Sequence, residues 1–390
     1  MPQTYDVIIV GGGIMGCSSA FELAKRGLSV ALLDKKYIGE GPTGHSSAII
    51  RQHYSNELTA RMALFSLRVF QDFEEQIGDT CHFKQTGFVM IVAAKDRAGL
   101  EANMALQRSV GIQTELLSSE ALHELMPGLE TTELIAAYEP EGGYADPYLT
   151  VNAFAHAARR LGVRVFQGTE VVGIRFQGDK VIGVETTKER LDAPLVLNTA
   201  GAWGAHVAQM AGVDVPIKAC RVQVALFRCP PDQQASHPIV ADFVLASYFR
   251  SETGNLTLTG LIDPAEADAV VNPDRFSEHV GFDFVADVGE RLVRRYPAME
   301  LSQSIGGYAS LYAITPDWHP VVDEVPSGSG FFICSGFSGH GFKLGPAVGV
   351  MVADMLTGTS MPTFDPHSFR LNRYAEDDLV RGQYQYSIIG

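Results

Sequence analysis

The sequence predicts an α/β fold that opens with a dinucleotide-binding βαβ unit. Three observations carry this prediction. Val7–Val10 is a β-branched apolar run with the length of a buried strand. It leads directly into Gly11, Gly13 and Gly16, spaced as G-x-G-x-x-G. A helical stretch and a second apolar run then end at Asp34, an acid at a strand tip.

Each element of the unit has a physical reason. Residues 18–26 read as the helix, with Gly27 as its C-terminal stop. Residues 28–33 read as the second strand. Gly11 permits the tight turn, Gly13 lets backbone approach a pyrophosphate, and Gly16 lets helix and strand pack closely. The helix N-terminus offers N–H groups and a positive dipole end to phosphates. Asp34 is placed to accept a hydrogen bond from a ribose hydroxyl. The unit alone does not choose between NAD and FAD.

The downstream chain bears on that choice. Residues 35–47, KKYIGEGPTGHSS, are rich in small residues and suit wrapping a pyrophosphate from its other side. Nicotinamide dehydrogenases do not usually need such a segment. An amphipathic helix is predicted over 57–75. Strands are predicted over 163–166, 169–176, 181–186 and 194–198, three of them a meander crossing between parallel strands. Ala200 and Gly201, just beyond, allow close approach to a flat cofactor. A strand over 331–334, a glycine-rich loop and a helix running through 350–356 close the pattern.

Composition sets the outer bounds. A chain of 390 residues suggests two domains. Its 46% hydrophobic and 19% charged content is that of a soluble globular protein. A net charge of −15 argues against nucleic acid or an anionic membrane as the main partner. The N-terminal apolar run is interrupted by glycines, so it reads as neither signal peptide nor membrane span. Cys17, Cys81, Cys220, Cys229 and Cys334 show no C-x-x-C spacing, so neither a metal site nor a disulfide frame is suggested. Isolated thiols fit a reducing cytoplasm, the expected location.

Longer phrases carry a resemblance. They are VIIVGGGIMG, TGHSSAIIRQHYS, FKQTGFVMIV, GYADPYLTVNAFAHAARRLG, NTAGAW and CSGFSGHGFKLGPAVG, in this order. On these the chain resembles the FAD-dependent D-amino acid oxidase superfamily. Within it, the chain is similar to the sarcosine oxidase branch, including β subunits of heteromeric sarcosine oxidases and of archaeal dye-linked L-proline dehydrogenases. The resemblance runs over residues 5–357. It implies a Rossmann-like FAD-binding domain from residues 1–78, 142–215 and 318–365. Interleaved with it would be a substrate domain on a mixed, largely antiparallel β-sheet, residues 79–141 and 216–317, with a tail over 366–390.

The resemblance also implies roles. Gly11, Gly13, Ile14, Met15, Gly16, Asp34 and Lys35 would bind the ADP half of FAD. Ser46 and Ser47 match the segment along the pyrophosphate and flavin, and Val171 the position whose backbone meets the adenine. Ala200, Gly201 and Trp203 match a loop near the flavin. Gly339, His340, Gly341, Phe342 and Lys343 match the loop facing the isoalloxazine edge. Arg51 and Lys343 match two cations that hold a substrate carboxylate, a pairing that suits a guanidinium fork and an ammonium. Tyr248 and Tyr312 match aromatic residues of the substrate pocket. His340 either tunes the amine's protonation or shapes its loop.

Three departures from the pattern matter. Ser310 stands where monomeric sarcosine oxidases carry a flavin-tethering cysteine, and residues 142–152 contain no histidine. Non-covalent FAD is therefore expected. Thr257 aligns with the lysine that activates oxygen near the flavin, which puts fast reaction with oxygen in doubt. The implied activity is oxidation of the C–N bond of a small amino acid or amine. A secondary amine is the preferred class, and a primary D-amino acid or glycine the alternative. A flavin-bearing subunit that passes electrons to a partner is the rival reading, and the tail over 372–390 is either a docking segment or a cap on its own domain.

Overall fold

The computed structural model describes residues 4–231 and 236–381. Two large sheets organise them. The first has the strand order Val321–Glu324, Phe331–Ser335, Leu195–Asn198, Val7–Val10, Val30–Leu33 and Arg164–Phe166. Every neighbouring pair is parallel except the antiparallel edge strand Val321–Glu324. Val7–Val10 and Val30–Leu33 are buried along their whole length, which explains their unbroken apolar runs.

The second sheet is mixed and largely antiparallel. Its order is Gln303–Ile314, Lys218–Arg228, Leu256–Leu261, Ser247–Glu252, Ile239–Asp242, Phe88–Ala93, Leu134–Glu139 and Glu115–Leu117. Ile239–Asp242 and Phe88–Ala93 form its parallel pair.

Helices Ile14–Lys25 and Gly341–Leu356 lie against each other and fix the first sheet's cofactor face. A Cβ on Gly16 would stand 1.9 Å from the Gly11 carbonyl, so helix and turn touch backbone to backbone. A Cβ on Gly345 would stand 2.4 Å from Ile14, so the two helices approach closely there. Gly27, at φ +84°, ends the first helix as the sequence predicts.

Several predicted boundaries shift. The first helix starts at Ile14 rather than 18, because the glycine turn itself supplies its N-terminus. The helix predicted over 57–75 breaks at Asp72 into Glu57–Gln71 and Phe73–Ile77. The meander consists of Val171–Gln177, Lys180–Thr186 and Arg190–Asp192. Its last strand carries two charged side chains in three residues and gave no apolar signal. Strand 163–166 instead joins the parallel sheet as Arg164–Phe166. The last helix begins at Gly341, inside the glycine-rich loop.

The described part of the tail docks on its own chain. Arg373 donates to both Asp317 oxygens at 2.8 and 3.0 Å, and both side chains are fully buried. The rest of that tail, beyond 381, lies outside the described residues. The pair pins the turn after strand Gln303–Ile314, which holds loop 336–338 through Thr315 and Ser338. Burial alone would raise the Asp317 carboxyl, but hydrogen bonds and charge from Arg373 outweigh it and hold it below the usual range. This contribution is present above the usual carboxylate pKa and is lost as pH falls through the lowered value. Arg373→Met, which strands a buried carboxylate, is expected to cost about 3–5 kcal/mol in chemical denaturation at pH 7. A cost below about 1 kcal/mol, the range of an exposed pair, would remove the pin.

Candidate active site

A cavity of about 390 Å³ runs from Asp34 to Tyr312 between the two sheets. Gly11, Gly13, Ile14, Met15, Asp34, Lys35, Ser46, Ser47, Val171, Ala200, Gly201, Trp203, Gly339, Gly341 and Phe342 all border it. Gly16 does not; it lies beneath, against Gly11.

At one end the chain forms a phosphate cradle. No side chain caps helix Ile14–Lys25 at Gly13. The Ile14 N–H donates to Thr43 Oγ1 at 3.1 Å, which ties the 35–47 segment over the helix start. Asp34 accepts from the Gly12 and Lys36 backbone N–H groups, each at 2.7 Å. Each of its oxygens keeps a lone pair for a ribose hydroxyl. A helix start without a cap at Gly13, a glycine wall and an acid at the neighbouring strand tip fit a dinucleotide.

Lys35 and Trp203 do something the sequence does not announce. Lys35 Nζ lies 4.0 Å from the Trp203 ring centroid and 2.6 Å from Asp274. Trp203 Nε1 donates to the same Asp274 oxygen at 2.9 Å. Segment 273–278, which borders the cavity, is thereby latched to the first sheet's side.

At the other end Tyr248 and Tyr312 border the cavity. Burial pushes both phenols up, so both are neutral at ordinary pH. Tyr312 is placed by Gly339, which has φ +87° and whose missing Cβ would lie 2.7 Å from the tyrosine ring.

Arg51, His340 and Lys343 do not border the cavity but cluster beside it. Arg51 donates to the His53 carbonyl and lies 4.6 Å from the Tyr54 ring centroid. His53 is paired with Glu139 at 3.3 Å, and both are fully buried. Lys343 is 7% exposed, and among the described residues its ammonium has no hydrogen-bond or ion-pair partner. Burial, with the Arg51 guanidinium second, holds it well below the usual lysine pKa. Burial and the two cations also hold His340 well below the usual histidine pKa. Its Nδ1 lies 3.4 Å from the Tyr54 hydroxyl. His340 is thus neutral.

Thr257 is a correction. It is fully buried, lies 3.3 Å from Cys229 Sγ and does not border the cavity. Leu261 is the residue of that strand which does, four positions on and so roughly 13 Å away. Thr257 therefore carries no information on reaction with oxygen. The sequence reading also missed Thr43, Glu266 and Asp274. Thr43 lay in a segment already marked as cofactor-wrapping, whereas Glu266 and Asp274 belong to no motif.

Residues 6–355 match the family of FAD dependent oxidoreductases. The chain belongs to this family. It is 29% identical over 389 residues to the mitochondrial sarcosine dehydrogenase of Homo sapiens, covering 96% of this chain but only 42% of that protein. It is also 29% identical to the peroxisomal sarcosine oxidase of Mus musculus, with 95% of this chain and 96% of that protein covered. The solved L-proline dehydrogenase of P. horikoshii superposes with a TM-score of 0.89 at 28% identity, covering 97% of this chain and all of that one.

The burial of Lys343 makes a prediction about the ligand-free protein. Its lowered pKa means that unfolding takes up a proton over the window between the lowered and usual lysine values. Stability therefore rises with pH through that window. Lys343→Met is expected to flatten this rise and to increase Tm at neutral pH. The same variant should lose about tenfold or more in affinity for a short carboxylate, the worth of one charge-assisted hydrogen bond. An unchanged affinity would show that the ammonium does not face the ligand.

Proposed function

We propose that the protein oxidises the C–N bond of a small amino acid held by its carboxylate at Arg51 and Lys343. The observation that carries this reading is the Lys343 ammonium, buried within electrostatic reach of Arg51 and, among the described residues, without a hydrogen-bond or ion-pair partner of its own. An incoming carboxylate offsets the cost of keeping the Lys343 charge out of water. Arg51 contributes a bidentate fork and Lys343 a point charge. Tyr248 and Tyr312 supply neutral walls that orient the amine-bearing carbon. Bound FAD supplies the two-electron oxidation that turns the amine into an imine, which water then hydrolyses.

A secondary amine such as sarcosine, another N-methyl amino acid or proline is the preferred class. Relatives named for sarcosine and a solved structure named for L-proline support it. A primary D-amino acid or glycine is the alternative. FAD is proposed to be non-covalent. Ser310 borders the cavity where the family resemblance places a tethering cysteine. Cys334, which also borders it, has its thiol pushed far up by burial and so offers no thiolate. Five buried, unpaired cysteines support a reducing compartment. Among the described residues no helix is long and apolar enough to cross a membrane.

Two relatives of equal identity are named a dehydrogenase and an oxidase, so similarity does not select the electron acceptor. The described lysines bordering the cavity are Lys35 and Lys36, at its Asp34 end. That placement supports slow reaction with oxygen and an acceptor such as a partner subunit.

The test is a flavin spectrum. Anaerobic sarcosine or proline is expected to bleach the yellow band faster than D-alanine, and air to restore it slowly. Arg51→Met should reduce the bleaching rate at low substrate by about tenfold to a hundredfold, one charge-assisted contact. A yellow protein bleached by no amino acid would sink the reading. Fast recolouring in air would make it an oxidase.

A further inference from the structure

The cavity has a second pole. Glu266 borders it, on the short turn Pro264–Asp268 that follows strand Leu256–Leu261. The turn is pinned on both sides of this residue. Asp263 accepts the Ala265 N–H at 2.9 Å, Cys220 donates its thiol to the Ala267 carbonyl at 3.2 Å, and Arg221 donates its backbone N–H to the Ala269 carbonyl at 2.9 Å. Among the described residues the Glu266 carboxyl itself has no hydrogen-bond or ion-pair partner. It lies within electrostatic reach of the Tyr248 and Tyr312 phenols, and Tyr312 also feels Arg51. An acid on the cavity wall and a cation cluster beside the cavity therefore act on the same neutral phenol, Tyr312. That charge pattern suits a zwitterionic amino acid.

An amino acid arrives as an ammonium, but its C–N bond is oxidised only from the neutral amine. A proton must leave the nitrogen first. We propose that Glu266 receives the substrate's amino group and accepts that proton. The ammonium N–H bond breaks, an O–H bond forms on the carboxylate, and the neutral amine stays in place. This rests on the amine-oxidation reading above.

The electrostatics agree. Burial, with Asp263 second, pushes the Glu266 carboxyl up to about 8. The other ionisable groups around it are Asp268 on its own turn, Lys218, Cys220 and Arg221 on the packed strand, and the two tyrosines. Lys218 and Asp268 act on Cys220, and Arg221 is spent on the Ser277 and His279 carbonyls. A carboxyl titrating near 8 is matched to taking a proton near neutral pH.

The experiment compares wild type, Glu266→Gln and Glu266→Asp as flavin-loaded proteins. In the wild type, kcat/KM for the best amino acid should rise through pH 8, as the carboxyl ionises. In Glu266→Gln that rise should move up to the amine's own pKa, and bleaching at pH 8 should slow by about a hundredfold or more. Affinity for propionate, a carboxylate without an amine, should be unchanged, read as the shift of the flavin band. Tm gives an independent readout. The raised pKa means that the folded wild type loses stability as pH rises from the usual glutamate value to about 8. Glu266→Gln should escape that loss, so its Tm advantage should be small at pH 5 and large at pH 8.5. Glu266→Asp should keep the pH limb at a reduced rate, and it carries the test if Glu266→Gln fails to hold flavin. A wild type that bleaches, with a Glu266→Gln profile unchanged at pH 8, overturns this inference and leaves the amine-oxidation reading standing. A wild type that no amino acid bleaches overturns both.

Discussion

A lysine ammonium held out of water beside a half-buried guanidinium sets the terms for the rest of this site. Arg51 and Lys343 come from opposite ends of the chain, and neither would keep its place without a rigid support. Lys343 sits in the first turn of helix Gly341–Leu356, which is locked against helix Ile14–Lys25 by close contacts at Gly345. Arg51 is fixed by the His53 carbonyl and the Tyr54 ring, and His53 in turn by the buried Glu139. The desolvation cost is built into the fold. The same helix packing that closes the cofactor face therefore creates a demand for an anion.

The remaining geometry answers that demand from both sides. The uncapped start of helix Ile14–Lys25 and Asp34 define where the adenosine and phosphates of a dinucleotide fit. Tyr248 and Tyr312 define the far end, where the cation pair adjoins the cavity. The two sheets contribute unequal chemistry. The parallel sheet supplies backbone amides and an acid for the cofactor. The mixed sheet supplies phenols and, from the turn after its inner strand Leu256–Leu261, a carboxyl. The latch of Lys35 and Trp203 onto Asp274 ties one sheet's loops to the other across the cavity. Substrate space and cofactor space are thus one continuous volume.

The sequence by itself determined the βαβ unit, because strand, glycine turn, helix and acid are consecutive and each has a local signature. It also determined the loop before Gly341, where small residues mark close approach. Ser46, Ser47, Ala200 and Gly339 were legible for the same reason: they lie in unbroken phrases. Only the tertiary structure decided the rest. Thr257 was placed by aligning its strand with the family pattern, but which residue of that strand reaches the cavity depends on how the sheet packs, and that residue is Leu261. Glu266 and Asp274 lie in an irregular segment without period or motif, so nothing local marks them. The family resemblance marked Lys343 as a carboxylate-holding cation, but nothing in the sequence shows its burial. Its meaning comes from burial beside Arg51, a long-range encounter that no spacing encodes, since desolvation and charge coupling exist only once the chain has closed around them.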